Sequence, residues 1–310
     1  MSSNKFQHPF VKDLAWLVEG HYIERDFNLQ PYWLVDVPLR LSELDDKPEP
    51  LIQAVNACKS HFLGSYFETL FSFAIEHFSS LNIILEHFQI KAEGKTLGEV
   101  DILIETPDGQ LHQLELAIKL YLERPDLAPH NWIGPNKNDS LLKKTTKARK
   151  HQLTILHTEE GRSAIQSVAK GRTPNSSLLI FGRLYYGLKN NADIEEWLKK
   201  DDGGWIRASD FILFKAYFSH FQVLEKPHWM SFPNMNNNYA FFCTENPYNL
   251  VVKFLRDERP KHVTLWDNVK GINKIVITTN CILYFIFCHY ISLRINNNHC
   301  NKLLVIILLF

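Results

Sequence analysis

The chain has 310 residues, 45% of them hydrophobic and 22% charged, a globular composition that excludes a disordered, collagen-like or coiled-coil protein. Lys+Arg and Asp+Glu number 34 each, so the net charge is zero, which excludes a uniformly basic nucleic-acid-coating protein but not a local basic patch. Five cysteines without a CxxC pair argue against a disulfide scaffold or zinc ribbon, and with no apolar stretch at the start they predict a cytoplasmic protein.

Val11, Leu14, Ala15 and Val18 share one helical face, so a helix is expected over residues 11–18. Residues 36–50, rich in Asp, Pro and Lys, read as a loop. A long helical pattern follows over 51–78, with Gly64 as a dividing point, and 82–90 reads as a strand. Residues 95–122 form a hairpin, and 123–138, with three prolines, form a loop. Asp139 or Ser140 caps a helix to about residue 156. Residues 177–186 read as a buried strand and 192–199 as a short helix, while 211–224 is ambiguous. The expected organisation is an N-terminal helical segment (1–45), a core (46–157), a second part of the same domain (158–270) and a tail (271–310).

The hairpin carries the chemistry. Pro107-Asp108-Gly109 suits a three-residue loop, with Gly in the left-handed bulge position. Glu105 then faces Leu111, Leu103 faces Gln113, and Asp101 faces Glu115. One face holds Val100, Ile102, Ile104, Leu114, Leu116, Ile118 and Leu120, with His112 as a polar exception. The other holds Glu99, Asp101, Glu105, Gln113, Glu115 and Lys119. A one-residue slip would separate Asp101 from Glu115 and mix the faces. Directly opposed, the two carboxylates stand roughly 5 Å apart and repel by about 3 kcal/mol at an effective dielectric of 20. Such a pair needs a cation, a shared proton or solvent, and Mg²⁺ is a cation that binds through one or two carboxylates. A solvated outer sheet face with mixed charges is the competing reading.

GEVDILI (98–104), a hairpin, and LELAIKLYL (114–122) resemble the core of the PD-(D/E)XK nuclease superfamily. LGSYFETLF (63–71) resembles that superfamily's first core helix. The chain more closely resembles the bacterial domain of unknown function 1853 family, through HPFVKDLAWL, LGSYFETLF, TLGEVDILIE, ELAIKLYL and WIGPNKNDSLLKKTTKARKHQL, over about residues 10–232. The wider resemblance implies an α/β, restriction-endonuclease-like core whose mixed sheet is flanked by helices. It implies a nuclease that hydrolyses DNA or RNA phosphodiesters with Mg²⁺ or Mn²⁺ and no organic cofactor. Asp101 and Glu115 match its metal-binding acids and Glu68 its helix acid; Glu99 stands behind them. Lys119 is the candidate catalytic lysine, although the motif places Lys two residues after the second acid, where this chain has Ala117. That departure supports an alternative, a catalytically silent nucleic-acid-binding module.

Lys143, Lys144, Lys147, Arg149 and Lys150 crowd the helix after the hairpin, and Lys143, Lys147 and Lys150 share a face. They are expected to track a phosphate backbone, with Gln152 resembling a helix glutamine used near DNA. A solvated helix face is the alternative. His130, Asn131 and Trp132 lie in the loop beyond the hairpin, where a structural role is expected.

Residues 271–310 contain no Asp, Glu, Pro or Trp, and three of the five cysteines (Cys281, Cys288, Cys300). The stretch 275–293 has no charge and reaches the length of a membrane span, but its Thr, Asn, His and Ser residues weaken that reading. Its Cys and His spacing fits no familiar zinc site. A tail foreign to the fold is preferred, an ordinary buried element is another reading, and membrane tethering remains a further functional alternative.

Overall fold

The computed structural model describes residues 3–58, 60, 62–233, 240–241, 247–256, 259–267 and 269–279. Helix α1 (Pro9–Glu19) opens the chain on Pro9 and ends at Gly20, whose φ of 79° gives the left-handed stop. Strand β1 (Tyr22–Arg25) follows, then α2 (Val37–Asp46), α3 (Glu49–Ala57) and α4 (Leu63–Phe78). The expected loop over 36–50 is thus mostly helix. Pro38 sits in the first turn of α2, where its missing N–H costs nothing, and Val37, Leu41 and Leu44 bury one face. The long helical pattern divides between α3 and α4, ahead of Gly64, which lies inside the first turn of α4.

Strands β2 (Asn82–Ala92), β3 (Lys95–Glu105) and β4 (Leu111–Glu123) form an antiparallel meander. The second turn has the expected chemistry: Thr106 N donates to Gln110 O at 2.9 Å, and Gly109 adopts φ 81°. The register is also as expected, with Glu105 opposite Leu111 and Leu103 opposite Gln113. A two-residue strand β5 (Trp132–Ile133) pairs with the end of β4.

Ser140 caps α5 (Leu141–Lys147), its Oγ accepting from Lys143 N at 3.2 Å. The helix does not run on to residue 156. A π-helical turn (Ala148–Gln152) breaks its phase, so Lys150 leaves the row begun by Lys143 and Lys147. Helices α6 (Glu159–Ala164) and α7 (Gln166–Ala169) lead into β6 (Asn175–Gly187). Then come α8 (Asn191–Trp197), β7 (Gly203–Arg207), a 3₁₀ helix (Ala208–Ala216), β8 (His220–Val223), β9 (Ala240–Phe241), α9 (Pro247–Arg256), β10 (Lys261–Asp267) and β11 (Ile272–Thr279).

All eleven strands join one mixed sheet in the order β2-β3-β4-β6-β7-β11-β10-β8-β9, with β1 paired to β6 and β5 to β4. The neighbours β4, β6, β7 and β11 run parallel and the other pairings are antiparallel. The fold is α/β with helices against the sheet. Helices α1 to α4 cover Ile102, Ile104, Leu114, Leu116, Ile118, Leu179 and Phe181. Ile155, Leu156, Ile165 and Ala169 cover Leu103, Leu111 and also Val100, which leaves the row predicted for it. Ala148 and Leu153 pack on Ala117, Leu178 and Ile180.

The expected tail boundary at residue 271 falls one residue before β11, a strand in the interior of the sheet. Lys274 is buried there, its Nζ bonded to the carbonyls of Trp197 and Lys200. Cys281, Cys288, His289, His299 and Cys300 lie outside the described residues. Among the described residues no helix is long and apolar enough to cross a membrane.

Candidate functional site

The ladder between β3 and β4 ends at the pair Ile102–Leu114. One step further the side chain of Asp101 replaces the backbone: its Oδ2 accepts from Leu116 N at 2.8 Å. Asp101 and Glu115 are brought together, but where the strands part rather than within a continuous ladder. Beyond them β3 and β4 share no further paired residues among the described residues.

The face that carries these acids is covered around Glu115, while Glu99 at its edge stays exposed. Glu115 is 1% exposed, as is Gln113. Gln113 Nε2 donates to Gln152 O at 2.8 Å and its Oε1 accepts from Ser176 Oγ at 2.9 Å. Helix α5 and the π-helical turn close over this face, so the open mixed-charge reading fails. Lys144 reaches in from α5, with Nζ 2.7 Å from Glu115 Oε1 and its side chain 15% exposed. No fixed donor reaches the buried Glu115 Oε2. The Asp101 and Glu115 carboxyls lie within hydrogen-bonding reach of each other, and that bond requires a proton on one of them.

Burial, then the nearby Asp101 charge, pushes Glu115 up to about 7 despite Lys144. Burial also raises Asp101, against the Leu116 amide that favours its charged form. Glu68 on α4 is raised by burial and then by Asp101, so it stands within electrostatic reach of the pair. Glu99 is exposed at the rim, 3.7 Å from His87 Nδ1. His87 occupies the β2 position between the pairs Glu86–Ile102 and Phe88–Val100, opposite Asp101, with a left-handed φ of 46°. A non-glycine residue held in that conformation is strained, and such strain gathers at functional sites.

Two carboxylates, one of them with an unsatisfied buried oxygen, fit a divalent cation that completes its shell with water and phosphate. Among the described residues no three His, Cys, Asp or Glu side chains stand together as a self-sufficient metal cage. Glu68 is therefore near the pair without closing a three-carboxylate set.

The family profile of domain of unknown function 1853 matches residues 12–265. The chain belongs to this family. The family region runs from α1 into β10 and contains Glu68, Asp101, Glu115 and Lys144, extending beyond the 10–232 that the motifs carried. No curated protein and no solved structure matches the chain.

Within the family region, Lys119 is not placed with the acids. Its Nζ binds Asp139 at 2.8 Å, and Tyr121 Oη also meets Asp139 at 3.4 Å. The cation that contacts the pair is Lys144, expected on the nucleic-acid face. The basic patch divides further. Lys143, Lys147 and Lys150 are exposed, whereas Arg149 bonds Asp26 at 2.9 Å and Glu24 at 3.7 Å, tying the π-helical turn to β1 and the residue after it. Gln152 anchors Gln113 through its carbonyl, and its buried Oε1 has no partner. His130 Nδ1 lies 2.9 Å from the capping Ser140 Oγ, a structural use of the loop.

The sequence reading missed the roles of Lys144, His87 and Asp139. Only the lysine was named from the sequence, as part of the basic cluster around Lys143.

The raised Glu115 gives a pH signature. In the unfolded chain its carboxyl titrates near the ordinary 4.5, and in the folded chain at about 7. Between these values the folded state holds more protons, so this group's contribution is complete at low pH and is lost as pH rises through 7. The Tm of Glu115→Gln is expected to fall less than wild type between pH 5 and 8. Parallel Tm curves for the two proteins would refute the raised carboxyl.

Proposed function

We propose that this protein is a metal-dependent phosphodiesterase of the PD-(D/E)XK type that acts on nucleic acid. The observation that carries this reading is the Asp101–Glu115 pair, with Glu115 buried, Asp101 half-buried and Glu115 bonded to Lys144 at 2.7 Å. Burying one carboxylate against another is costly, and a core has no structural need for it. The arrangement has a use where a cation and a phosphate are to be gripped.

A bound Mg²⁺ or Mn²⁺ supplies Lewis-acid polarisation of phosphate and a water of lowered pKa. Asp101 and Glu115 offer the donor oxygens. The Leu116 amide fixes the Asp101 carboxyl in one orientation, so little rearrangement is needed on binding. Lys144 holds Glu115 and places positive charge where negative charge develops on phosphorus. Glu68 approaches from α4, and Glu99 sits at the entrance. Lys143, Lys147 and Lys150, exposed near Lys144, offer a path for the phosphate backbone. The silent-module alternative rested on Ala117 in place of a lysine, and Lys144 supplies a cation from another element.

The test is calorimetry of Mg²⁺ and Mn²⁺ on the full chain at pH 8, where Glu115 is deprotonated, followed by cleavage assays on single- and double-stranded DNA and RNA. Binding is expected to be lost in Asp101→Asn and Glu115→Gln, and metal-dependent cleavage to drop by at least about a thousandfold. Metal binding that survives both substitutions would overturn the reading.

A further inference from the structure

The four parallel strands end together at a second site. The last residues of β4, β6, β7 and β11 are Glu123, Gly187, Arg207 and Thr279, and all four line one crevice of about 1020 Å³. Ligands of open α/β sheets bind outside the carboxyl ends of parallel strands, because the loops that follow the strands converge there. Glu123 lies eight residues beyond Glu115, roughly 26 Å along β4. The crevice is therefore separate from the acidic centre.

The polar groups of the crevice are sorted by charge. Its acids are already engaged: Glu123 Oε2 accepts from Gly187 N at 3.2 Å, Asp193 Oδ2 from Lys189 N at 2.8 Å, and Asp126 takes both Nε (2.8 Å) and Nη2 (2.6 Å) of Arg124. Of the cations, Arg124 is held by Asp126, which leaves Lys189 and Arg207. Neither Lys189 nor Arg207 forms an ion pair through its side chain among the described residues, and both are exposed.

A nine-residue 3₁₀ helix, Ala208–Ala216, also begins at the crevice, lining it with Ala208 and Ser209. No side chain caps this terminus, so its first amides point positive charge toward the same space. Lys189, Arg207 and the uncapped amides suit a dianion, and the Arg207 guanidinium fork suits its paired oxygens. Beside them the Trp205 indole, fixed by its Nε1 bond to Glu123 O at 3.0 Å, joins Pro125 and Leu255 as an apolar wall.

We infer that this crevice binds a small phosphomonoester of mononucleotide size, with its phosphate between Lys189 and Arg207 and its apolar or aromatic part against Trp205. The inference stands independently of the nuclease reading.

Calorimetry on the full chain tests it, with adenosine 5′-monophosphate, inorganic phosphate and adenosine as probes. The monophosphate is expected to bind, phosphate to compete with it, and adenosine to bind at least about tenfold more weakly. Arg207→Gln and Lys189→Gln, both at exposed positions, should each weaken the monophosphate about fivefold or more. Asp101→Asn should leave it unchanged. Absence of binding by both phosphate-bearing probes at millimolar concentration would overturn the inference. So would unaltered affinity in the two crevice variants, or loss of binding in Asp101→Asn, which would assign the phosphate to the acidic centre.

Discussion

Lys144→Met is expected to remove the proposed cleavage activity by about two to three orders of magnitude at pH 7.5, whereas Lys119→Met leaves it within about tenfold. The difference follows from where each ammonium is held. Lys144 Nζ lies 2.7 Å from the buried Glu115 Oε1, and Lys119 Nζ lies 2.8 Å from Asp139 with a third of its side chain exposed. Without Lys144, Glu115 loses the one fixed donor it has among the described residues and keeps its repulsion from Asp101. Its carboxyl then climbs above the present value of about 7 and holds a proton at the pH of the assay. A protonated Glu115 is a poor metal donor, so affinity for Mg²⁺ should fall with activity and recover partly at pH 9.

A stability readout accompanies this and needs no substrate. Breaking a buried ion pair costs about 3–5 kcal/mol when the remaining charge stays buried and unpaired. Glu115 avoids that cost by protonating. The Tm deficit of Lys144→Met should therefore be small at pH 5 and large at pH 8.5. A deficit that does not depend on pH would mean that Lys144 acts through packing. Activity lost in Lys119→Met and kept in Lys144→Met would return the catalytic role to the strand.

The acidic pair was legible because hairpin register is local information. Pro107-Asp108-Gly109 sets the loop, and alternation sets the faces, so Asp101 and Glu115 could be placed from about twenty residues of sequence. The lysine was not legible in the same way. Lys144 is 29 residues from Glu115, and only the packing of α5 and the π-helical turn on β4 brings them together. Its sequence neighbours point to solvent, which made the whole cluster read as one basic face. His87 was hidden for a similar reason, since its place opposite Asp101 depends on the β2–β3 pairing.

Two departures of the described residues from expectation have a common origin in reading composition without context. Asp36, Pro38 and Pro48 look like loop punctuation, yet a proline in a first helical turn is compatible with the helix that Val37, Leu41 and Leu44 anchor. Ile275, Val276 and Ile277 looked foreign because they belong to a segment, 271–310, without Asp, Glu, Pro or Trp. A strand with parallel and antiparallel neighbours in mid-sheet is buried on both faces, and all three residues are nearly inaccessible. The uncharged stretch that suggested a membrane span or a foreign tail thus begins, within the described residues, as core.

Gly182→Ala is expected to destabilise the protein by about 4 kcal/mol or more, enough to leave it largely insoluble or to lower Tm by about 6 °C or more. Gly182 lies opposite Lys119 in the parallel ladder of β4 and β6. On its other side β6 changes partners: β1 pairs with it through Phe181, and β7 takes over from Tyr185. Gly182 N bridges the gap by donating to His21 O at 2.9 Å. Serving both sides twists the backbone to φ 144°, a conformation that L side chains rarely adopt. A Cβ there would stand 1.6 Å from Lys119 O and 3.1 Å from Ile23 Cδ1. The carbonyl belongs to the sheet and cannot rotate away, so the strands must separate where β4 carries both proposed sites. Gly109→Ala provides the control, because its φ of 81° is unfavourable but no atom lies within 4 Å of the added carbon. That variant should lose only about 1 kcal/mol. Denaturant unfolding of both proteins separates the two contributions. Equal losses would show that the conformation of Gly182, and not its contact with Lys119, sets the requirement for glycine.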